Sequence, residues 1–402
     1  MNYMPLSKID KWLFTFAIIL YSSFYGVMNF LFSLGIPSSL ISAAFSISIL
    51  AIGFYLYVKD IYVYRGLIYT KSYYIIVFSI LWIFLAVLAF KQQYALSADI
   101  KNSFVFRIYI FLAYGTAYFF LFVMSPSRMQ YFKKCDIYIL ACSLFSSIII
   151  LFSGNIDLST GDVLAEGVSR ATIKEPLMLL FIISAYWLFF CSFKKKLIGA
   201  GCILIAFYGI YMSMSQSALI SILLISFGIL ILSWFSHNTK NIMFILAAMP
   251  VALFAGASYM YSSKGFERLS HIVDWEVYYN AGSGYDTSRI ELLNWGWEIF
   301  KSSPIVGLNP YLPNGSYTHF FVMDILMCMG VLGIVCLFAF FSSIIKGAIN
   351  ANRLCGTSAY WMILLCIYSL SQSIFHGSVT SIMSAGTSIM IGFSLYYNNR
   401  QI

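Results

Sequence analysis

The stretch ALISILLISFGILILSWF, residues 218–235, decides the fold. It carries no charged side chain, and as an α-helix rising 1.5 Å per residue it extends about 27 Å, close to the ~30 Å thickness of a hydrocarbon layer. Stretches of the same kind recur to either side of it. They run approximately over 12–33, 37–57, 72–90, 104–124, 136–153, 176–193, 197–213, 241–261, 320–345, 357–375 and 379–397. Composition agrees: 61% of the 402 residues are hydrophobic and only 10% are charged, against roughly 25% charged in an average soluble chain. So much apolar surface cannot be covered by a soluble core, and lipid is the expected solvent.

The segments between these stretches collect the punctuation, as at Pro37, Lys59-Asp60, Lys91-Gln92-Gln93, Pro126, Lys194-Lys195-Lys196 and Asn350-Ala351-Asn352-Arg353. Tyr and Trp cluster near many span ends, as interfacial anchors do. With the N-terminus placed in the cytoplasm, the inner segments hold most of the 24 basic residues, among them Lys59, Arg65, Arg128, Lys133, Lys194 and Arg353. The short loops then obey the positive-inside rule, and an even number of spans returns the C-terminus to the cytoplasm. The net charge of +9 follows from this bias and gives no ground for a nucleic-acid partner. Met1–Lys11 leads into an apolar stretch too long for a signal-peptide core, so the first span is expected to remain in the mature protein. All eight cysteines fall in spans or inner segments, and no Cys/His spacing points to a metal. The expectation is an all-α polytopic integral membrane protein with about twelve transmembrane helices. Residues 1–402 form a single membrane domain, and a large outer loop before the tenth span contains an amphipathic helix.

Two outer loops interrupt the spans, at 154–175 and 261–319, and long loops on a rigid scaffold are where function tends to sit. In the second, Ser288 and Glu291 have the spacing of a helix capping box ahead of Arg289-Ile-Glu-Leu-Leu-Asn-Trp-Gly-Trp-Glu-Ile-Phe-Lys301. Ile290, Leu293, Trp297 and Phe300 share one side at helical spacing, Lys301 suits the C-terminal end, and Ser302-Ser303-Pro304 ends the element. This reads as a helix lying on the outer membrane surface with Trp at headgroup depth. Arg289 at its positive end is unfavourable by roughly 0.3–1 kcal/mol, a sign that a bound anion reverses. Beyond come Pro304-Ile-Val-Gly307, then His319 at the mouth of the next span, then Gly330-Val-Leu-Gly333 inside it. A histidine there serves either as an interfacial residue or as a group titrating near neutral pH and able to take a proton. Asp324 reaches that histidine only if the helix is irregular.

In this order, Arg289, Trp297, Pro304-Ile-Val-Gly307, His319 and Gly330-Val-Leu-Gly333 resemble the signature of the O-antigen polymerase and O-antigen ligase superfamily of bacterial inner-membrane glycosyltransferases. Arg170, six residues before Pro176, resembles the Arg that members carry ahead of the span after their first large outer loop. Three positions depart from the pattern: Asn309 replaces a second Gly, Phe320 replaces an Asn after the His, and Ser215-Gln216 replaces a Ser-Arg. These departures bear on the finer substrate contacts rather than on the class.

The resemblance implies a periplasmic active site that moves a glycan from undecaprenyl pyrophosphate to a sugar hydroxyl, with no cofactor or metal. The implied partners are a lipid-linked oligosaccharide donor and acceptor, the membrane lipids and a chain-length regulator. His319 and Arg289 are then the catalytic candidates, and Arg170, Arg268, Lys264 and Arg107 the pyrophosphate-binding ones, since guanidiniums contact phosphates bidentately. Each has a plainer reading. Arg170 has Glu166 and Glu175 as ion-pair partners, Lys264 and Arg268 flank Glu267 in a surface turn, and Arg107 has its snorkelling distance to the interface. The expected activity is polymerisation of lipid-linked repeat units. A ligase delivering the same donor to lipid A core is the alternative within the class, and a flippase for the repeat unit is the alternative outside it. A flippase is expected to show two similar halves, polar residues lining the middle of the bundle and no large late loop, and the sequence shows the opposite pattern.

Overall fold

A chain in lipid has no water to satisfy its backbone, so each N–H and C=O must find a partner internally, and helices do this within one segment. The computed structural model describes residues 5–63, 115–122, 125–152, 170–213, 216–236, 239, 243, 289–308, 312, 318, 320–376 and 385–398, and among them every regular element is helical. In chain order these are α1 (Lys8–Ser33), α2 (Ser38–Tyr62), α3 (Pro126–Phe132), α4 (Asp136–Phe152), α5 (Arg170–Phe190), α6 (Phe193–Ser213) and α7 (Gln216–Phe235). They continue with α8 (Arg289–Ser302), α9 (Phe321–Cys355), a 3₁₀ turn at Gly356–Ala359, α10 (Tyr360–His376) and α11 (Ala385–Asn398).

Three helices among the described residues are long and apolar enough to cross a membrane: Lys8–Ser33, Leu40–Tyr62 and the run Phe321–Gln372. A fourth is obtained if α3 and α4, bent by 53°, count as one span. Helices α5, α6, α7, α10 and α11 coincide with further apolar stretches of the sequence. The stretches at 72–90 and 241–261, most of 104–124, and most of the two outer loops lie outside the described residues.

The surface shows why lipid is the solvent. On α7, Ile222, Ile225, Ile229 and Leu232 are buried, while Leu223, Phe227, Ile231 and Trp234 are exposed, so both faces are apolar and only one is packed. Contiguous exposed hydrophobic surface of this kind marks contact with lipid or a partner. The packed centre is α5, where Leu177, Met178, Leu180, Ile182 and Ala185 are fully enclosed, together with Trp361, Met362 and Leu364 of α10. Where α1 crosses α4 the seam is built of small residues: Ser22 and Gly26 on one side, Ser143, Ser146 and Ser147 on the other. A Cβ on Gly26 would lie 2.5 Å from the Ser146 backbone, so the two helices approach as closely as only a glycine permits.

One end of the bundle carries a belt of ion pairs. Ser7 caps α1 by accepting from the Asp10 N–H at 3.1 Å. Asp10 in turn receives Lys59 of α2 at 2.8 Å. Asp60 takes Nε of Arg128 at 2.6 Å and the Ser125 N–H at 3.0 Å, while Ser125 caps α3 through the Arg128 N–H at 3.2 Å. Asp136, in the first turn of α4, accepts from Trp187 Nε1 at 2.7 Å and Lys195 at 2.9 Å. Lys133 stands 2.8 Å from the Cys355 thiol and over the rings of Tyr396 and Tyr397. Both members of the Arg128–Asp60 pair are enclosed, and removing one partner of such a pair typically costs ~3–5 kcal/mol. This belt gathers the starts of α1, α4, α6 and α10 and the ends of α2, α5, α9 and α11. The start of α9 therefore lies at the other end, as do the starts of α5 and α7 and the end of α10, which meet through Lys174, Ser221 and Gln372.

Candidate functional site: the α8–α9 hairpin

The motif residues after Arg289 fold as one unit. Helix α8 buries Leu292, Gly296 and Ile299 toward α9, where Leu292 packs with Leu312 and Met327. Trp295 and Trp297 remain exposed, and Trp297 packs against Phe300 with ring centroids 5.1 Å apart and planes tilted by 36°. Of the side expected from spacing, Leu293 and Phe300 are half-buried and Trp297 is exposed, and the fully buried positions, Leu292 and Gly296, lie one residue away. Both sides are apolar, so periodicity alone does not separate them. Lys301 pairs with Glu298 at 2.6 Å on the exposed surface.

The expected span at 320–345 is a helix running from Phe321 to Cys355 and broken at Gly330, whose φ of 60° and ψ of −155° leave the helical region. In an unbroken helix the Val331 and Leu332 N–H groups would donate to the carbonyls of Met327 and Cys328. Here they donate to Pro304 O at 2.9 Å and Ile305 O at 3.2 Å, and the Met327 carbonyl accepts from the Leu308 N–H at 2.9 Å. The segment from Pro304 to Leu308 thus gives partners to three groups that the break in α9 frees: the Val331 and Leu332 N–H groups and the Met327 carbonyl. Gly307, at φ 71°, and Gly330 are the two positions where this contact demands glycine. A Cβ on Gly307 would fall on the Cys328 backbone, and one on Gly330 would fall on the backbone of Pro304 and Ile305. The two sequence motifs, Pro-x-x-Gly and Gly-x-x-Gly, are the two halves of one backbone-to-backbone contact.

Asp324 holds the entrance to α9. It is fully buried, and its Oδ1 accepts from the Thr318 N–H at 2.9 Å and the Thr318 hydroxyl at 2.7 Å. Thr318 Oγ1 also accepts from the Phe320 N–H at 3.3 Å, so the residues on either side of position 319 are both tied down. Phe320, extended ahead of a regular first turn of α9, lets Thr318 fold back onto Asp324, and His319 lies outside the described residues. Gly296 of α8 faces Thr318: a Cβ there would meet the Thr318 methyl at 2.8 Å. Arg289 opens α8 seven residues earlier, so its Cα lies roughly 10 Å along the helix from that contact.

Arg170 is the first residue of α5 and Arg289 the first of α8, each described for its backbone alone. Arg107, Lys264, Arg268 and His319 lie outside the described residues. What the structure adds to the site is the Asp324–Thr318 clamp; away from the hairpin it also buries Lys174 on α5. The clamp had a signal in sequence, an acid one turn inside an apolar span. Lys174 had only its place just before Pro176. No family model matches the chain, and no curated protein or solved structure is detectably similar to it.

Proposed function

We propose that the protein is a polyprenyl-pyrophosphate-dependent glycosyltransferase of the bacterial inner membrane that polymerises lipid-linked oligosaccharide repeat units at the periplasmic face. The observation that carries this reading is the α8–turn–α9 hairpin. The motif residues named in sequence order come together as one folded unit, with Arg289 opening one helix and the segment around position 319 clamped at the mouth of the other. Such a unit offers a cation at a helix N-terminus, where an anionic leaving group is favoured, and a rigid frame for a proton acceptor.

In the proposed reaction the bond between the anomeric carbon of the growing chain and the pyrophosphate oxygen breaks, and a glycosidic bond forms to a hydroxyl of the incoming unit. His319 takes the hydroxyl proton, and the undecaprenyl pyrophosphate leaves with its charge held by Arg289 and Arg170. Removing one such charge-stabilising donor typically costs about 10²–10³ in rate. The exposed Trp295 and Trp297 suit the headgroup layer, where the lipid part of the substrate lies.

The test is a gene deletion read by lipopolysaccharide banding, complemented by the wild type, His319→Ala and Arg289→Ala. The expected result is core bearing a single repeat unit in the deletion and in both variants, and a ladder with the wild type. Bare core in the deletion would point to the ligase or the flippase instead, and a normal ladder from both variants would remove the proposed site.

A further inference from the structure

In the ion-paired belt, Lys59, Arg128 and Lys195 each meet a carboxylate, whereas among the described residues Lys133 meets a sulfur. Lys133 caps the C-terminus of α3, at the corner where the chain bends by 53° into α4. Its ammonium stands 2.8 Å from Sγ of Cys355, the last residue of α9. The Tyr397 hydroxyl of α11 donates to the same sulfur at 3.7 Å. The ammonium also lies over the rings of Tyr396 and Tyr397, 5.6 and 5.4 Å from their centroids. Asn350 ties the end of α9 to α11 by donating to the Tyr397 carbonyl at 3.3 Å. Lys133 and Cys355 are both half-buried, so the amine and the thiol are held together while small solutes reach them.

The plain role for Lys133 is a cation at the negative end of α9, which is favourable there. An arginine would fill that role equally well. What an arginine would not supply is a nucleophilic nitrogen beside a thiol. Reactive cysteines sit in partly exposed, electropositive surroundings, and Cys355 has both, whereas Cys135, Cys202, Cys328 and Cys366 are buried. A thiol oxidised to the sulfenic acid condenses with a nearby thiol or nitrogen, and at Cys355 the nitrogen is already in contact. The positive-inside rule is expected to put this end of the bundle in the cytoplasm, where the thiol pool keeps cysteines reduced until an oxidant arrives.

We propose that Cys355 and Lys133 are a modification site, joined by hydrogen peroxide into a reversible sulfenamide that bridges the α3–α4 corner and the end of α9. The Cys355 sulfur, its proton released, attacks one peroxide oxygen; the O–O bond breaks, sulfur is oxidised to S–OH, and the hydroxide that leaves takes up the thiol proton. The neutral Lys133 Nζ then attacks that sulfur. An N–S bond forms, the S–O bond breaks, and the oxygen leaves as water with a proton from the amine. Thiol, amine and peroxide thus give the bridge and two waters, and two equivalents of a small thiol reverse it, leaving as their disulfide.

The experiment treats the full chain in nanodiscs with hydrogen peroxide, with and without dimedone, and maps the peptides by mass spectrometry before and after dithiothreitol. The expected product is a linked pair of peptides holding residues 133 and 355, about 2 Da lighter than their reduced sum, and lost on reduction. Lys133→Arg keeps the cation and is expected to keep the thermal midpoint, yet to lose the link and give the dimedone adduct of Cys355 instead. Three results overturn the proposal: a sulfinic acid or a disulfide at Cys355 of the wild type with no link to Lys133; the same link yield in Lys133→Arg; or oxidation of Cys355 no faster than that of Cys191, half-buried at the same end of the bundle. Because no glycan transfer is read, this result stands apart from the test of the polymerase.

Discussion

Gly330 shows how much one residue decides here. Its positive φ breaks α9, and its missing side chain lets Pro304 and Ile305 place their carbonyls where the freed N–H groups of Val331 and Leu332 need acceptors. Alanine at this position incurs both the backbone strain, of order ~1–3 kcal/mol, and a collision with the 304–305 backbone. Gly330→Ala is therefore expected to lower the thermal midpoint of the purified protein and to abolish the proposed repeat-unit polymerisation. Gly201→Ala, whose Cβ meets nothing within 4 Å, is the control and is expected to leave both unchanged. A Gly330→Ala protein with wild-type stability would contradict this account of the contact between 304–308 and the break in α9.

At the scale of elements, the hairpin depends on which side of α8 is packed. Leu292 is fully buried against Leu312 and Met327, whereas Trp295 is exposed. Leu292→Asp buries an unpaired charge and is expected to release α8 from α9, which limited proteolysis reads as new cleavage within 289–308. Trp295→Asp is expected to leave the proteolytic pattern unchanged while weakening activity through the loss of an interfacial anchor. Equal protection of α8 in the Leu292→Asp protein would show that the helix is held by something other than this face. The Gly26 crossing of α1 and α4 has the same character, because close approach there is set by small side chains rather than by apolar area.

For the whole molecule, the distribution of charge separates the two ends of the bundle. Lys59, Arg128, Lys133 and Lys195 belong to the belt, and Thr318, Asp324, Lys174 and Gln372 lie at the other end. By the positive-inside rule the belt is expected to face the cytoplasm. In a cysteine-free background, a membrane-impermeant maleimide is expected to label Trp295→Cys in cells with a permeabilised outer membrane, and Lys194→Cys only after lysis. The reverse pattern would put the hairpin in the cytoplasm and remove the proposed function, while leaving the membrane fold as it is.

The helical, membrane-embedded character was legible in residues such as 218–235, because length and the absence of charge suffice to make a segment partition into lipid as a helix, whatever its neighbours do. The extent of α8 was legible as well, from the helical spacing after Arg289 and the Ser302-Ser303-Pro304 stop. Which side of an apolar helix meets protein was not: Ile225 and Phe227 of α7 are both apolar, yet one is buried and the other exposed. In water the contrast between polar and apolar faces carries that information, and in lipid the contrast vanishes. Tertiary structure alone joined Lys174 to Gln372, Arg128 to Asp60 and the Pro304 carbonyl to the Val331 N–H. Those bonds pair groups far apart in the chain, and each is strong because the surrounding medium offers its polar atoms nothing else.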